Sequence, residues 1–169
     1  MGNRATVIFT DGNGSFSPAV YLHWNGGPES IYGFLNEMDR RHIRTDQYYE
    51  CARFIHIVGD FFDQDEVDGL SLGVTNAPKS ATLKDLEKVD VDYSDNGLYL
   101  VNRVAKPLKM RRFKEGYKKD KSGEMKCFLK EMSGKQVEQE YTLAMKSDYI
   151  SSFKETFEEI TKGKEINTY

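Results

Sequence analysis

Residues 19–41 restrict the fold more than any other part of the chain, because an alternating segment, two adjacent glycines and an amphipathic segment follow one another there. Apolar residues occupy every second position from Val20 to Trp24, which predicts a short β-strand with both of these side chains on its core face. Gly26 and Gly27 end the alternation, since glycine adopts backbone angles that a side chain forbids. The sequence therefore predicts a strand followed by a tight turn.

A helix is predicted directly after this turn. Pro28 suits the first helical position, where its missing N–H leaves no hydrogen bond unmade, and Glu29 complements the positive end of the helix dipole. Apolar residues then follow at i, i+3, i+4 and i+7, which predicts one buried stripe composed of Ile31, Phe34, Leu35 and Met38.

The other segments predict further strands and a central helix. A strand over 4–10 is expected to pair antiparallel with the strand over 19–24. A helix over 46–62 is expected, with Thr45 as its cap. Its buried stripe is predicted to consist of Tyr48, Cys51, Ala52, Ile55, Val58 and Phe62, widened by Phe54, Ile57 and Phe61. The later predicted elements are a strand over 70–74, a short helix capped by Thr82, a hairpin of 89–93 with 98–101, a three-segment meander over 107–145 and a closing helix capped by Ser147.

Together these elements predict an α+β fold, with an antiparallel sheet of about five to seven strands and three main helices. The composition becomes more basic after residue 103. Residues 1–103 are therefore expected to form an α+β core, and residues 104–169 the meander and the last helix, either in the same domain or as a small added lobe.

Charge is distributed unevenly along the 169 residues. Residues 1–100 contain 8 basic and 16 acidic residues, whereas residues 101–169 contain 16 basic and 11 acidic residues. The acidic first part disfavours direct nucleic-acid binding and suits a basic protein surface. No apolar run approaches about 18 residues and no secretory signal pattern is present, so we expect a cytoplasmic protein without a membrane partner.

The sequence shows no recognisable catalytic or metal-binding motif. The two cysteines, Cys51 and Cys127, lack the spacing of a zinc site and are expected to be buried thiols. The three histidines have no partner placed for nucleophilic catalysis, and no phosphate-binding glycine loop occurs. We therefore expect a protein that is not an enzyme and holds no cofactor or metal, although a scattered catalytic constellation stays open.

The polar turn between the predicted strand over 19–24 and the helix that begins at Pro28 is the candidate ligand site. Backbone N–H groups at a helix N-terminus bind phosphate or carboxylate, and aromatic side chains offer a stacking surface. The candidate residues are Tyr21, His23, Trp24, Asn25, Gly26, Gly27 and Ser30. The competing interpretation is that Trp24 belongs to the core and that the glycines only permit a tight turn.

Charged segments supply candidate protein-interaction residues. They are Asp63, Asp65, Glu66 and Asp68 in an acidic loop, and Arg111, Arg112 and Lys114 in a basic segment. The basic segment over 103–121 also contains Phe113 and Tyr117, a composition that suits a phosphate backbone with stacked bases. Its alternative interpretation is a strand with one solvated face of lysine and arginine.

Several motifs along residues 1–103 resemble an uncharacterised family of small proteins encoded by bacteriophages and integrative mobile elements. The similar segments are 21–30 (YLHWNGGPES), 52–53, 61–62, 70–74 and 95–99. The YLHWNGG motif is the most distinctive, and the chain after Lys106 has no counterpart. The resemblance implies a genetic setting, a phage or mobile element inside a bacterial cell, but no mechanism.

This setting favours a counter-defence function. The leading hypothesis is a non-enzymatic inhibitor that binds the surface of a bacterial immune effector, such as a CRISPR nuclease complex, and blocks it sterically. The alternative is a binder of a phosphorylated defence signalling nucleotide, which would use the Gly26–Ser30 helix N-terminus with His23 and Trp24. A nucleic-acid-binding accessory protein that acts through 103–121 is a third hypothesis.

Overall fold

The computed structural model describes residues 2–62, 71–89 and 95–166, which form an α+β protein as the sequence predicts. The strands in these residues are β1 (Ala5–Phe9), β2 (Ala19–Leu22), β3 (Leu72–Thr75), β4 (Leu98–Asn102), β5 (Lys109–Lys119) and β6 (Met125–Glu131). The helices are α1 (Pro28–Arg40), α2 (Gln47–Phe62), α3 (Leu83–Leu86), α4 (Gly134–Met145) and α5 (Asp148–Ile160).

The six strands form one mixed sheet in the order β3-β2-β1-β4-β5-β6. Neighbouring strands are antiparallel, with the exception of β1 and β4, which run parallel from the pair Thr6–Leu98 to the pair Phe9–Val101. The sheet of the described residues is therefore mostly antiparallel, as predicted, and the parallel pair at its centre is the one departure from the prediction. The reason is the distance along the chain, since no local turn joins β1 to β4 and reveals their relative direction.

The first strands and the first helix agree with the sequence. β1 pairs antiparallel with β2, so the predicted hairpin is confirmed. α1 begins at Pro28, and its predicted stripe of Ile31, Phe34, Leu35 and Met38 is buried. All five residues of β1 are buried, because both faces of the central sheet are covered. Trp24 is an exception to the predicted alternation, since β2 ends at Leu22 and the Trp24 side chain is 42% exposed.

The larger core lies between the sheet and the helices α1, α2 and α5. Its centre is a group of phenylalanine rings from these three helices, in which Phe61 and Phe153 stack at a centroid distance of 4.5 Å. Phe34 contacts both Phe54 and Phe153 edge to face. A smaller core covers the other sheet face and includes Ile8, Leu86, Leu98, Leu100, Phe113 and Leu129.

The central helix α2 differs in detail from the prediction. Asp46, and not Thr45, caps it, because the Asp46 carboxylate accepts the backbone N–H groups of Tyr48 and Tyr49, both at 3.1 Å. The predicted stripe is partly wrong, since Tyr48 and Ala52 are exposed. The buried residues are Glu50, Cys51, Phe54, Ile57 and Val58. The burial of Cys51 is confirmed, whereas the Cys127 side chain lies outside the described part of the structure.

The predicted three-segment meander contains only two strands, β5 and β6. The third segment is α4, so the described residues contain four long helices where the sequence indicated three. Ser133 and Gly134 suggested a turn, but Ser133 is the cap of a helix: its hydroxyl accepts the Gln136 N–H, and the Gln136 side chain accepts the Ser133 N–H. This reciprocal pair is a capping box.

The remaining predicted elements have different outcomes. The caps Thr82 and Ser147 are confirmed, each accepting a backbone N–H of the helix that follows. The segment 98–101 is a strand, but its predicted hairpin partner, 89–93, lies outside the described residues except for Val89. β5 pairs with β4 and therefore continues the same sheet, while α4 and α5 both pack against α1.

Candidate functional site

The Gly-Gly turn is held by backbone contacts of Gly26. Its N–H donates to the Asn3 carbonyl at 2.7 Å, and its carbonyl accepts the Tyr99 hydroxyl at 2.8 Å. A Cβ at this position would lie 2.6 Å from the Ala5 Cβ, so glycine is required by close packing. Asn25 precedes it with a φ of 57°, a left-handed conformation that asparagine tolerates. Packing against β1 and β4 accounts for Gly26 without a ligand.

The aromatic candidates of this turn lie together at the surface. The Tyr21 hydroxyl is 3.2 Å from Nδ1 of His23, and the His23 and Trp24 rings meet edge to face at a centroid distance of 5.0 Å. The structure thus brings three of the predicted ligand residues into one group. Trp24 is too exposed to belong to the core, so the competing interpretation of this residue is wrong.

The helix N-terminus in this turn is less open than a phosphate site requires. No side chain caps α1, but a Cβ on Gly27 would come within 2.6 Å of Oε1 of Glu29, so the Glu29 carboxylate itself lies beside the cap residue. Ser30 is buried. An incoming anion would therefore meet a negative charge, and ligand binding at this turn stays a prediction.

The candidate protein-interaction residues differ in their exposure and in their contacts. The acidic loop residues Asp63, Asp65, Glu66 and Asp68 lie outside the described residues. Arg111 forms a two-pronged pair with Glu131, with N–O distances of 2.6 and 3.0 Å, and remains partly exposed. Lys114 lies 3.8 Å from Glu140. Arg112, predicted at a protein interface, is fully buried, so that prediction is wrong; α4, which the sequence analysis did not foresee, covers it.

Arg112 is instead the centre of a buried polar network. Its Nε donates to Glu140 at 2.6 Å, while Nη1 and Nη2 donate to the carbonyls of Leu98 and Asn96, both at 2.8 Å. The guanidinium lies 3.4 Å from the centroid of the Tyr99 ring. These contacts join α4 to two strands of the sheet, which makes Arg112 a structural residue.

Burial around this network shifts the pKa of neighbouring groups. It raises the pKa of Tyr32 to about 12 and raises the pKa of Tyr99 further. Both phenols therefore stay protonated at neutral pH, as the hydrogen bond from Tyr99 to Gly26 requires. Burial, assisted by the nearby Arg112, lowers the pKa of the Lys114 ammonium group.

The strands β5 and β6 extend beyond the rest of the sheet, a geometry that the sequence did not predict. β4 pairs with β5 only as far as Phe113, while β5 and β6 continue to pair with each other to Lys119 and Met125. Residues 114–119 and 125–130 therefore form a two-stranded extension, which we call the β5–β6 ribbon. Near its end, Tyr117 is 59% exposed and Met125 is 56% exposed.

One face of the β5–β6 ribbon is positively charged. Residues directly opposite each other share a face, and Lys114 is opposite Lys130 while Lys118 is opposite Lys126. Phe128 lies between these two pairs, and the Lys118 ammonium group is 5.1 Å from the centroid of its ring. We call Lys114, Lys118, Lys126, Lys130 and Phe128 the lysine face. Alternate lysines on both sides of the Ser122-Gly123 turn were the sequence signal for it.

Asp120 fixes the turn of the ribbon and supplies a pH prediction. Its carboxylate accepts the hydroxyl of Ser122 and the N–H of Glu124, and it pairs with Lys126 at 3.0 Å. The Ser122 hydrogen bond is the largest cause that lowers the pKa of Asp120 from 3.8 to about 2. The stabilisation is thus present above pH 3.8 and is lost as the pH falls towards 2. We expect an NMR titration of this carboxyl to show a midpoint of about 2.

Replacement of Ser122 with alanine is the matched variant for this titration. It removes the strongest hydrogen bond to the carboxylate and leaves Lys126 in place. We expect the Asp120 midpoint to rise towards the value of an unperturbed aspartate. A wild-type midpoint that is already at that value would contradict the turn geometry.

The described residues contain neither a metal-binding cluster nor a membrane-spanning helix. In residues 2–62, 71–89 and 95–166, no group of three or more histidine, cysteine, aspartate or glutamate side chains is placed to hold a metal ion. No helix within these ranges is long and apolar enough to cross a membrane. No protein-family model, curated protein or solved structure matches the chain. The resemblance carried by residues 1–103 stays a prediction.

Proposed function

We propose that the protein is a non-enzymatic inhibitor of a bacterial immune effector, such as a CRISPR nuclease complex. A phage or mobile element would encode it, and it would act in the cytoplasm of the host bacterium by covering part of the effector surface. The observation that carries the proposal is the lysine face, which extends beyond the sheet and exposes cations around one aromatic ring.

The arrangement of the lysine face favours an acidic partner. Like charges directly opposite each other in a sheet destabilise the strand pair. Glu140 and Asp120 offset part of this repulsion in the pairs Lys114–Lys130 and Lys118–Lys126, and an acidic surface bound to this face would offset the rest. Aromatic residues at the centre of an interface, surrounded by charges, provide both affinity and orientation.

A protein partner fits the whole molecule better than a nucleic acid does. Residues 1–100 contain 16 acidic and 8 basic residues, and a nearby polyanion would be repelled by this part of the chain. An acidic protein patch has a limited extent and can contact the ribbon alone. In this mechanism the ribbon docks on such a patch and the rest of the protein blocks assembly of the effector.

Two neighbouring charge reversals test this function. Lys118→Glu reverses a charge on the lysine face, and Lys119→Glu makes the same change on the opposite face of the same strand, where residue 119 is opposite Met125. The assay uses a panel of bacterial strains, each with one defined CRISPR system that blocks phage plating. We expect wild type and Lys119→Glu to restore plating on a strain of this panel. Lys118→Glu should lose this activity, since a like-charge contact at an interface costs on the order of several kcal/mol.

Loss of activity in Lys118→Glu should not result from unfolding of the ribbon. The new glutamate would face Lys126 and form a favourable cross-strand pair with it, so the ribbon should stay folded. Failure of the wild-type protein to restore plating in any strain of the panel would argue against the function. Equal activity of the two variants would exclude the lysine face as the docking surface. Tight binding to a DNA duplex, with affinity that falls steeply with salt, would support the nucleic-acid hypothesis instead.

A further inference from the structure

A cavity of about 560 Å³ lies between α1, α4 and the connection from β4 to β5. Its size is within the range of small-molecule sites, which are mostly apolar and contain a few polar groups. The β4–β5 connection contributes Lys106, Pro107 and Leu108 to its wall. The cavity is separate from the Gly-Gly turn and from the lysine face, so the proposed inhibitor function does not use it.

The walls of this cavity are aromatic and aliphatic. Tyr32 on α1 and Tyr141 on α4 meet edge to face at a centroid distance of 5.0 Å. Leu35, Leu108 and Val137 add aliphatic surface from three different elements. Burial of apolar atoms against such walls contributes about 25 cal/mol per Å² of area removed from water, so a ligand with an apolar body suits the cavity.

One end of the cavity is polar. Arg103 lines the cavity although it is only 2% exposed. Its Nη1 donates to Glu50 at 2.8 Å and its Nη2 to Asp39 at 2.7 Å, but its buried Nε has no hydrogen-bond partner among the described residues. This nitrogen has less than 1 Å² of accessible surface, so a ligand in the cavity meets the guanidinium as a nearby charge and not as a hydrogen-bond donor. Lys106 adds an exposed ammonium group to the same cavity.

We infer that this cavity binds a small monocarboxylic acid with an aliphatic or aromatic body. The apolar body lies between Tyr32, Val137 and Leu108, and the carboxylate pairs with Lys106 at the polar end that Arg103 also lines. Asp39 and Glu138 also line the cavity, so a ligand with several negative charges is repelled. The polar and apolar walls therefore select for one anionic group on a hydrophobic molecule.

Octanoate is the probe for this site, and octanamide is its uncharged counterpart. We expect octanoate to bind the full-length protein saturably, with one molecule per chain, in isothermal titration calorimetry. The methyl signals of Leu35, Leu108 and Val137 should shift in NMR spectra. Octanamide should bind on the order of threefold to tenfold more weakly, because it cannot form the ion pair with Lys106.

Two pairs of variants locate the binding. Val137→Trp fills the cavity and should abolish binding, whereas Leu143→Trp, at a 73% exposed position of the same helix, should bind like wild type. Lys106→Glu should weaken octanoate on the order of threefold to tenfold, and Lys109→Glu, at an exposed position outside this cavity, should not. Lys106→Glu keeps the test decisive if Val137→Trp does not fold.

Three results would overturn the inference. The first is the absence of saturable octanoate binding, and the second is NMR shifts confined to residues elsewhere. The third is equal binding by Lys106→Glu and Lys109→Glu. None of these results affects phage plating, which reports on the lysine face alone, so the two proposals succeed or fail independently.

Discussion

Replacement of Arg112 with methionine is expected to lower the free energy of unfolding by about 3–5 kcal/mol, the usual cost of removing one partner from a buried ion pair. Methionine keeps most of the side-chain volume but donates no hydrogen bond. Glu140 would lose its 2.6 Å partner, and the carbonyls of Leu98 and Asn96 would lose their donors. Urea denaturation followed by circular dichroism measures this loss.

The neighbouring Arg111 provides the matched control for this experiment. Arg111 also forms an ion pair, with Glu131 at 2.6 Å, but both side chains are about two-fifths exposed. Exposed pairs contribute about 0–1 kcal/mol, so Arg111→Met should change stability little. Equal losses in the two single variants would contradict the structural role of Arg112.

A second-site change separates the buried charge from the volume of the side chain. In Arg112→Met the carboxylate of Glu140, only 13% exposed, keeps its charge and retains only the longer contact to Lys114, at 3.8 Å. The double variant Arg112→Met/Glu140→Leu removes this charge, and a buried pair replaced as a whole by apolar residues is often tolerated. We therefore expect the double variant to be more stable than Arg112→Met alone, a coupling that a double-mutant cycle measures.

Arg112 also shows where inference from the sequence stops. Arginine is seldom buried without a partner, so a basic segment is most simply interpreted as a solvated face. The partner here is Glu140, and it is supplied by α4, a helix whose capping serine and glycine look like a turn when only local spacing is considered. One wrong element therefore led to a wrong environment for a residue 28 positions away.

The features that could be predicted depend on neighbours along the chain. The β1–β2 hairpin, the start of α1 at Pro28 and the caps at Thr82 and Ser147 each require only a few adjacent residues, and all are confirmed. The parallel pair of β1 and β4 joins residues about ninety positions apart, which no local pattern encodes. The lysine face similarly depends on the register of β5 against β6.

The Gly-Gly turn likewise combines features that local sequence predicts with features that depend on distant residues. Local composition identified the Tyr21, His23 and Trp24 group, and the structure brings these residues together. The role of Gly26 could not be predicted, because it depends on Ala5 and Tyr99, which reach the turn through the sheet. A glycine pair before a helix is therefore ambiguous until the strand behind it is known.

Gly97→Ala is expected to destabilise the protein strongly, because the added methyl group meets both an unfavourable backbone conformation and a backbone clash. Gly97 has a φ of 73°, which costs a residue with a Cβ about 1–2 kcal/mol. The added Cβ would also lie 1.9 Å from the carbonyl oxygen of Phe113, on backbone that cannot rotate away. β4 and β5 would have to separate next to the pair Leu98–Phe113, and the loss should exceed the conformational cost by several kcal/mol.

Gly123→Ala isolates the conformational part of this loss. Gly123 has a φ of 85°, but no atom lies within 4 Å of the position of its Cβ, so only the cost of the left-handed conformation applies. We expect Gly123→Ala to lose about 1–2 kcal/mol and to remain folded, while Gly97→Ala approaches the total stability of a typical domain, about 5–15 kcal/mol. Similar urea midpoints for the two variants would show that β4 and β5 are not in the close register described.

The position of Gly97 explains why a local clash should spread through the protein. Its carbonyl accepts the N–H of Thr6 at 2.9 Å, so the same residue borders β1 on one side and β5 on the other. The Arg112 guanidinium is bonded to the carbonyls of Asn96 and Leu98, the two neighbours of Gly97. Movement of this segment would therefore strain the central strand pairing and the buried ion pair together. For this reason Gly97→Ala combined with Arg112→Met should destabilise less than the sum of the two single changes.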